Sequence, residues 1–179
     1  MREGRGGEID TIKGSQINLL AADKGYKYAQ FNAAVFYIDG SDGFAQDYKL
    51  AAHYFRLAAD QDHLKAQAGL GRLYLHGHGV KQDVKEGLRL CTEAWNRGVE
   101  IAYLHAGEYF YCIGDYASSI KYLKPVADKG SSIAQKNVGL AYAKVGNAEL
   151  AEKYLRLSLE MDEQEILSVL GKCRQEKGL

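Results

Sequence analysis

The sequence predicts an all-α protein, a right-handed α-solenoid (superhelix) of about ten helices arranged as antiparallel pairs. Three observations lead to this fold class. One proline stands against 20 glycines in 179 residues, which favours helices separated by glycine turns. Small residues recur along the chain at regular intervals. An aspartate or asparagine also precedes every second segment of helical pattern. A repeat of helical hairpins accounts for all three.

The first helix of each predicted pair is marked by a small residue. These residues are separated by 37, 36, 32 and 32 positions, and they are Ala34, Gly71, Gly107, Gly139 and Gly171. Three positions after each of the first four comes an aromatic residue, namely Tyr37, Tyr74, Phe110 and Tyr142. Small residues let two helix backbones approach closely, and an aromatic ring one turn later fills the groove. We therefore expect each small residue to mark a close helix crossing.

The second helices repeat with the same intervals. Their small positions are Gly14, Ala51, Gly87, Ser119 and Ala151, and the apolar residues three further on are Ile17, Tyr54, Leu90, Tyr122 and Tyr154. The predicted N-caps are Asp10, Asp47, Asp83, Asp115 and Asn147. Gly25, Gly98 and Gly130 lie where three of these helices should end.

The pattern places helices at 10–24, 28–39, 47–61, 65–76, 83–97, 101–112, 115–129, 133–144, 147–160 and 163–176. They form a single array over 1–179, with a half repeat at 4–25, full repeats at 28–62, 65–98, 101–130 and 133–160, and a capping helix at 163–177. Pro125 falls inside the seventh helix. Because proline lacks a backbone donor and crowds the preceding turn, we predict a kink or an early tightening there.

One segment carries a family signature. Residues 76–87, HGHGVKQDVKEG, join G-x-G-V to D-x-x-K/E-A/G and resemble the Sel-like repeat, a relative of the tetratricopeptide repeat. The resemblance covers nearly the whole chain and is most specific in 29–62 and 66–98. From residue 102 onward the glycine loop is shorter, and the repeats look more like tetratricopeptide repeats. The resemblance implies a fold whose first helices line a concave groove for a peptide, helix or loop of a partner protein.

The first residues align with the glycine loop of a later repeat. Gly4, Gly6, Asp10 and Gly14 each lie 73 positions before Gly77, Gly79, Asp83 and Gly87. Two explanations are open: the chain is a fragment of a longer array, which we favour, or its first helix has degenerated. In a fragment, a signal peptide or further repeats could lie upstream. The compartment therefore stays open between a bacterial periplasm or envelope and the cytoplasm.

The charge balance bears on the class of partner. Lys and Arg number 23 and Asp and Glu 23, so the formal net charge is zero, without the basic footprint of a nucleic-acid binder. No apolar run reaches the ~20 residues of a membrane span, and membrane insertion is not expected.

Cys91, Cys112 and Cys173 form no C-x-x-C pair, and we interpret them as small buried apolar side chains.

No catalytic residue, metal or cofactor is predicted. His76 and His78 are the nearest approach to a metal pair, but zinc needs three or four ligands, and no further ligand lies at suitable local spacing. Gly77 and Gly79 lack the preceding strand and the G-K-[ST] ending of a phosphate loop. A tight turn between helices is sufficient explanation for both glycines.

Cys91 is the only cysteine that invites a catalytic interpretation, as a nucleophile paired with the distant His105. However, the same register position holds Phe55, Leu123 and Leu155 in the other repeats. Cys91 is therefore interpreted as a core residue, and the chain is not expected to be an enzyme.

The resemblance to Sel-like repeats assigns a candidate groove to the first helices. The residues at groove positions are Tyr28, Phe31, Val35, Arg72, Leu75, His76, Leu104, Glu108, Tyr111, Leu140 and Lys144, with Ile38, Lys65, Ala68, Ile101, Cys112, Ile133 and Lys136 beside them. Several are bulky and apolar where a groove facing only water would need no such residue. The alternative is that tight curvature buries them between neighbouring repeats.

Two functions follow. The first is a non-enzymatic scaffold or adaptor that binds a protein or peptide through this groove, in the manner of a bacterial regulator, an envelope factor or an effector-neutralising protein. The alternative is an architectural module, because a missing first helix at one end and an unpaired helix at the other would let molecules stack head to tail. The expected state is a monomer or a weak self-associate.

Overall fold

The computed structural model describes residues 6–41 and 43–176, with side chains for 12–41 and 43–173. This part of the chain is an all-α solenoid without strands, as predicted. Its helices are α1 (Gly6–Asp23), α2 (Lys27–Asp39), α3 (Tyr48–Ala59), α4 (Leu64–His76), α5 (Val84–Asn96), α6 (Ile101–Cys112), α7 (Tyr116–Asp128), α8 (Ser132–Lys144), α9 (Ala148–Ser158) and α10 (Glu163–Glu176).

The chain divides into two compact units, 1–102 and 103–179. In the first unit, α1 to α5 pack consecutively, each helix against the next. In the second unit, α8 packs between α7 and α9, and α10 covers both α9 and α8. The predicted repeat boundaries within a single array stay predictions.

A recurring pair of hydrogen bonds fixes the start of the second helices. The backbone N–H groups of the four N-caps donate to the carbonyl oxygens of the aromatic residues that lie two positions before the end of the preceding first helices. The pairs are Asp47 to Tyr37, Asp83 to Tyr74, Asp115 to Phe110 and Asn147 to Tyr142, at 2.8–3.0 Å. Each N-cap side chain in turn accepts a backbone N–H from the first turn of its own helix. The four predicted N-caps are confirmed, and each aromatic position has a backbone role in addition to its ring.

The fifth predicted N-cap, Asp10, is wrong. Helix α1 begins at Gly6, so Asp10 lies inside it. The other four N-caps hold a non-helical backbone conformation because a first helix supplies the carbonyl that their N–H needs. No described helix precedes α1, and the helix extends through Asp10 without that hydrogen bond.

The small residues bring helices into close contact inside the hairpins. In the α4/α5 hairpin, a Cβ on Gly87 would lie 2.9 Å from the carbonyl oxygen of Gly71, and one on Gly71 would lie 3.1 Å from that of Gly87. In the α8/α9 hairpin, a Cβ on Gly139 would lie 2.8 Å from Leu155. The prediction is wrong at Gly14 and Gly171, because nothing that the structure describes lies within 4 Å of a Cβ at either position.

The predicted aromatic positions stack against tyrosines of the second helices. The ring centroids are 5.9 Å apart for Tyr37 and Tyr54, 5.4 Å for Phe110 and Tyr122, and 5.7 Å for Tyr142 and Tyr154, and all three pairs are nearly parallel. Two of these tyrosines also tie consecutive second helices together. The hydroxyl of Tyr54 donates to Asp23 at 2.8 Å, and that of Tyr154 donates to Asp128 at 2.7 Å. Each aspartate is the last residue of its helix, so these hydrogen bonds hold α1 to α3 and α7 to α9.

Left-handed residues end the second helices. Gly25, Gly98 and Gly130 have φ of 93°, 91° and 96°, as predicted from their positions. Asp62 (φ 63°) takes this place after α3, and Leu159 (φ 54°) after α9.

Helix α7 continues through Pro125 to Asp128, so the early tightening predicted there is not found and the kink stays a prediction.

The cysteines differ in environment. Cys91 and Cys173 are buried, but Cys112 is exposed, which corrects its predicted burial. Cys112 is the last residue of α6, where the chain turns towards α7 and no further helical turn covers it. Burial raises the pKa of the Cys91 thiol to about 12, so this thiol is an inert part of the core.

Among the described helices, none is both long and apolar enough to cross a membrane.

Candidate functional site

In the first unit, the groove positions Tyr28 and Phe31 belong to an aromatic cluster centred on His63. The His63 ring stacks on Phe31 with centroids 4.7 Å apart and meets the edge of Tyr28 at 5.3 Å. Phe31 also contacts Phe55 in the core, at 5.9 Å. Tyr28 is 68% exposed, whereas Phe31 is half-buried. Tyr28 is thus largely accessible, with the Lys27 ammonium 5.6 Å from its ring centroid, and Phe31 contributes mainly to packing.

His63 is held at the centre of the cluster by its own role as a helix cap. It is the N-cap of α4, and its Nδ1 accepts the backbone N–H of Ala66 at 3.1 Å. Burial lowers the pKa of His63, because a charged imidazole would be desolvated and would lose its acceptor nitrogen. The sequence analysis missed this residue, because histidine is not among the usual N-caps.

The groove positions on α4 separate into surface and core. Arg72 and His76 are half-buried, as is Val35 on α2. Leu75 is 0% exposed, and its Cγ would lie 2.8 Å from a Cβ on Gly87. Leu75 therefore faces α5 and cannot contact a partner, which corrects its predicted role. Ala68 is likewise fully buried, so for these two positions burial between helices is the correct interpretation.

The two loop histidines form a stack. The His76 and His78 rings lie 5.4 Å apart, and His78 continues the stack onto Tyr48 at 4.8 Å. Among the residues that the structure describes, no group of three or more His, Cys, Asp or Glu could hold a metal ion. Gly79, with φ 70°, runs so close to α3 that a Cβ would lie 2.6 Å from the backbone nitrogen of Lys49. Close backbone approach explains this glycine without a phosphate.

In the second unit, the groove positions line two adjoining clefts. The first has a volume of about 210 Å³ and is lined by Glu108, Tyr111, Cys112, Leu123, Asn137 and Leu140. The second has about 170 Å³ and is lined by Tyr111, Leu140, Ala143, Lys144, Val169, Lys172 and Cys173. Tyr111 and Leu140 belong to both clefts and form the ridge between them. Of the five groove positions predicted in this unit, only the half-buried Leu104 lines neither cleft.

The two clefts differ in charge. Glu108 lies at the first cleft, and Lys144 and Lys172 lie at the second. Burial raises the pKa of Tyr111, so its hydroxyl stays neutral at physiological pH and can donate a hydrogen bond. This surface can hold an apolar side chain at the ridge with a cationic group towards one side and an anionic group towards the other.

Lys172 was not among the predicted site residues. It directly follows Gly171, just as Glu108 follows Gly107 and Leu140 follows Gly139. This shared register was sufficient to find it. Asn137 and Val169 also share a register, two positions before Gly139 and Gly171, and both line the clefts.

A model of the Sel1 repeat matches residues 27–63 and 64–99. Two consecutive Sel1 repeats are thus recognised within residues 27–99. The resemblance to the Sel-like family is thereby confirmed in α2 to α5, where the residue signature is most specific. Sel1 repeat proteins generally mediate protein–protein interactions, and their fold is a typical non-catalytic scaffold.

Two solved structures share the fold. A Sel1 repeat protein from Oxalobacter formigenes is 29% identical, with a TM-score of 0.67 over 88% of this chain and 64% of its own. A protective antigen from uropathogenic Escherichia coli that displays a Sel-like repeat fold is 22% identical, with a TM-score of 0.60 over 94% of this chain and 42% of its own. The chain therefore spans less than two thirds of each of these two proteins.

Proposed function

We propose that this Sel1 repeat chain is a non-enzymatic adaptor that binds a segment of a partner protein on the ridge of Tyr111 and Leu140. The observation that carries the proposal is the pair of clefts on either side of this ridge. An aromatic and an aliphatic side chain flanked by polar groups are typical of surfaces that anchor a partner residue. Tyr28 and Arg72 form a second, separate surface on the first unit that offers further contacts to the partner.

The charges of the clefts define the chemistry of the partner segment. An apolar side chain would lie on the ridge, an acidic residue would face Lys144 and Lys172, and a basic residue would face Glu108. A partner with this pattern fits an effector neutralised by a cognate inhibitor, a regulated protein or an envelope component. Identification of the captured protein distinguishes among these three roles.

The experiment uses reversal of charge at the clefts. Glu108 and Lys144 are exposed, so Glu108→Lys combined with Lys144→Glu should leave the fold intact. The partner is first captured from cells of the source organism with the wild-type protein and identified by mass spectrometry. It is then purified and titrated calorimetrically against wild type and variant, and we expect the double reversal to weaken binding at least about tenfold.

The matched control reverses the same two charges on second helices. Lys121 on α7 and Glu149 on α9 are both exposed and line neither cleft. Lys121→Glu combined with Glu149→Lys should bind as wild type does. Equal affinity of all three proteins for the partner would show that the clefts are not the binding site. Loss of binding in the control alone would show that the partner binds the second helices.

A further inference from the structure

The side chain of Asn137 brings hydrogen-bonding groups to the first cleft that the fold does not use. Asn137 is half-buried and lines this cleft beside Tyr111 and Leu140. Its amide makes no hydrogen bond to any residue that the structure describes. A side-chain amide has an acceptor oxygen and two donor hydrogens. Asn137 can therefore bind a donor and an acceptor of an occupant at the same time.

Two glutamines of the first helices show how the fold uses an amide. Gln30 on α2 donates to the carbonyl oxygen of Ala22 at 3.3 Å. Gln135 on α8 donates to that of Ala127 at 3.2 Å. In both cases the amide ties a first helix to the second helix before it. Asn137 lies only two residues after Gln135, but its amide has no such role and faces the cleft.

The second cleft adds positive charge beside the same ridge. Lys144 comes from α8 and Lys172 from α10, and no acidic residue is among the described residues that line this cleft. Burial raises the pKa of Tyr111, and the positive charge of Lys144 acts against this rise, so the ammonium group lies near the ridge. An anionic group next to the ridge is the complementary partner chemistry.

The free amide of Asn137 bears on the backbone conformation of the occupant. A segment that displaces water from the cleft needs partners for its own N–H and C=O groups. A helical segment already bonds these groups within the helix. In an extended segment, one residue presents its N–H and C=O to the same side, where a single amide can pair with both. Asn137 thus favours an extended occupant.

We infer that the partner segment binds as an extended chain whose backbone pairs with the amide of Asn137. Its apolar anchor lies on the Tyr111–Leu140 ridge, and an acidic residue two positions away faces Lys144 and Lys172. Side chains two positions apart point to the same face of an extended chain, whereas a helix requires a spacing of three or four. The inference rests on the proposed function and adds the conformation and residue spacing of the partner.

The test uses synthetic peptides with blocked ends as probes. The extended probe is Ala-Ala-Leu-Ala-Glu-Ala-Ala, made also in the reverse order because the clefts fix the spacing and not the chain direction. Its alanines offer only backbone groups to Asn137. The helical probe is an alanine-rich peptide of about 15 residues, long enough to form a helix, with leucine and glutamate four positions apart. Titrations followed by NMR of the ¹⁵N-labelled protein measure both affinities, and we expect the extended probe to bind more tightly.

The decisive variant is Asn137→Leu, which removes the amide and keeps the approximate size of the side chain. We expect it to bind the extended probe about three- to tenfold more weakly, the usual effect of losing a backbone hydrogen bond. The matched control is Asn32→Leu. Asn32 has the same register in α2, is exposed and lines neither cleft, so this variant should bind as the wild type does. Circular dichroism checks the fold of both variants.

The opposite outcome is equally clear. Leucine adds apolar surface, so an occupant that makes only apolar contacts in the first cleft would bind Asn137→Leu as tightly as the wild type or more tightly. That result overturns the inference, as does tighter binding of the helical probe or no binding of either probe. The charge reversal with the captured partner decides the proposed function separately. If that reversal weakens binding while the peptide test fails, the clefts remain the binding site and the extended conformation is wrong.

Discussion

Gly87 and Gly14 occupy the same register position in α5 and α1, but their surroundings differ. Gly87 is pressed between Leu75 and the carbonyl oxygen of Gly71, and Gly14 has nothing within 4 Å. A methyl group at Gly87 must push two helices apart, whereas one at Gly14 only improves helix propensity. The same substitution should therefore have opposite effects on stability.

We expect Gly87→Ala to lower the free energy of unfolding by about 1–3 kcal/mol, the usual cost of overpacking a tight interface. Gly14→Ala should raise it by about 0.5–1 kcal/mol. Urea denaturation followed by circular dichroism at micromolar concentration, where association is minimal, measures both. Two changes of the same sign would show that helix propensity and not close approach dominates at these positions.

His63 predicts an acid-sensitive first unit. Because burial lowers its pKa below the usual 6.5, the folded state favours the neutral ring. The unfolded chain then binds a proton more readily, so this contribution to stability is complete above about pH 6.5 and is lost as the pH falls through the folded pKa. Asparagine also caps helices but does not titrate. His63→Asn should thus show a smaller loss of thermal stability between pH 7 and about pH 5.

The control for His63 is another histidine of the same unit. His53 is exposed on α3, and His53→Asn should keep the pH dependence of the wild type. His76 retains its own share of acid sensitivity in both variants, because burial lowers its pKa as well. Identical pH profiles for wild type and His63→Asn would contradict the role given to the His63 cap.

At the scale of the element, each second helix is defined by two ends with different chemistry. In α3, α5, α7 and α9, an Asp or Asn side chain and a hydrogen bond to the carbonyl oxygen of the preceding aromatic residue fix the start. A left-handed residue ends each second helix, which is glycine after α1, α5 and α7. Helices α3 and α9 depart from this pattern, because their left-handed residues are Asp62 and Leu159.

We expect Leu159→Gly to stabilise the protein by roughly 0.5–1 kcal/mol. Leucine pays a steric cost in the left-handed conformation that glycine does not. Its side chain is 89% exposed, so little apolar contact is lost. Differential scanning calorimetry should show a higher Tm, and Leu157→Gly, at an exposed position inside α9, should show a lower one. A lower Tm for Leu159→Gly would mean that Leu159 makes contacts beyond those of its own helix end.

At the scale of the whole molecule, the absence of net charge matters for association. Lys and Arg equal Asp and Glu at 23 each, and the sequence pI is about 7.0. No long-range repulsion therefore opposes contact between copies near neutral pH. A molecule with an exposed apolar face at α1 should be least soluble under these conditions.

We expect a minimum of solubility within about one unit of pH 7. Precipitation with ammonium sulfate across a pH series measures it directly. The minimum should be shallower for Ile17→Lys, which adds a charge to the exposed face of α1, than for Ile133→Lys, which adds the same charge to an exposed position of α8. Equal curves for these two variants would show that net charge alone, and not the α1 face, controls solubility.

Periodicity was sufficient to predict the helices, four of the N-caps and the crossing glycines inside the complete hairpins. These features depend on residues close in sequence and on the regular period of a helix, and both can be read from one chain. The error at Asp10 arose because its cap requires a carbonyl from a preceding helix, as Tyr74 supplies to Asp83.

Only the tertiary structure decided which groove positions are free. Leu75 and Leu140 both lie in first helices and both are apolar, yet Leu75 is enclosed by α5 while Leu140 lies on the ridge between two clefts. Helix periodicity places a residue on a side of its own helix, but its exposure depends on how closely the next helix approaches. The distance between α4 and α5 is set by the close approach at Gly71 and Gly87. At Gly14 and Gly171 no other helix that the structure describes comes close, so glycine there leaves open space instead of allowing a tight crossing.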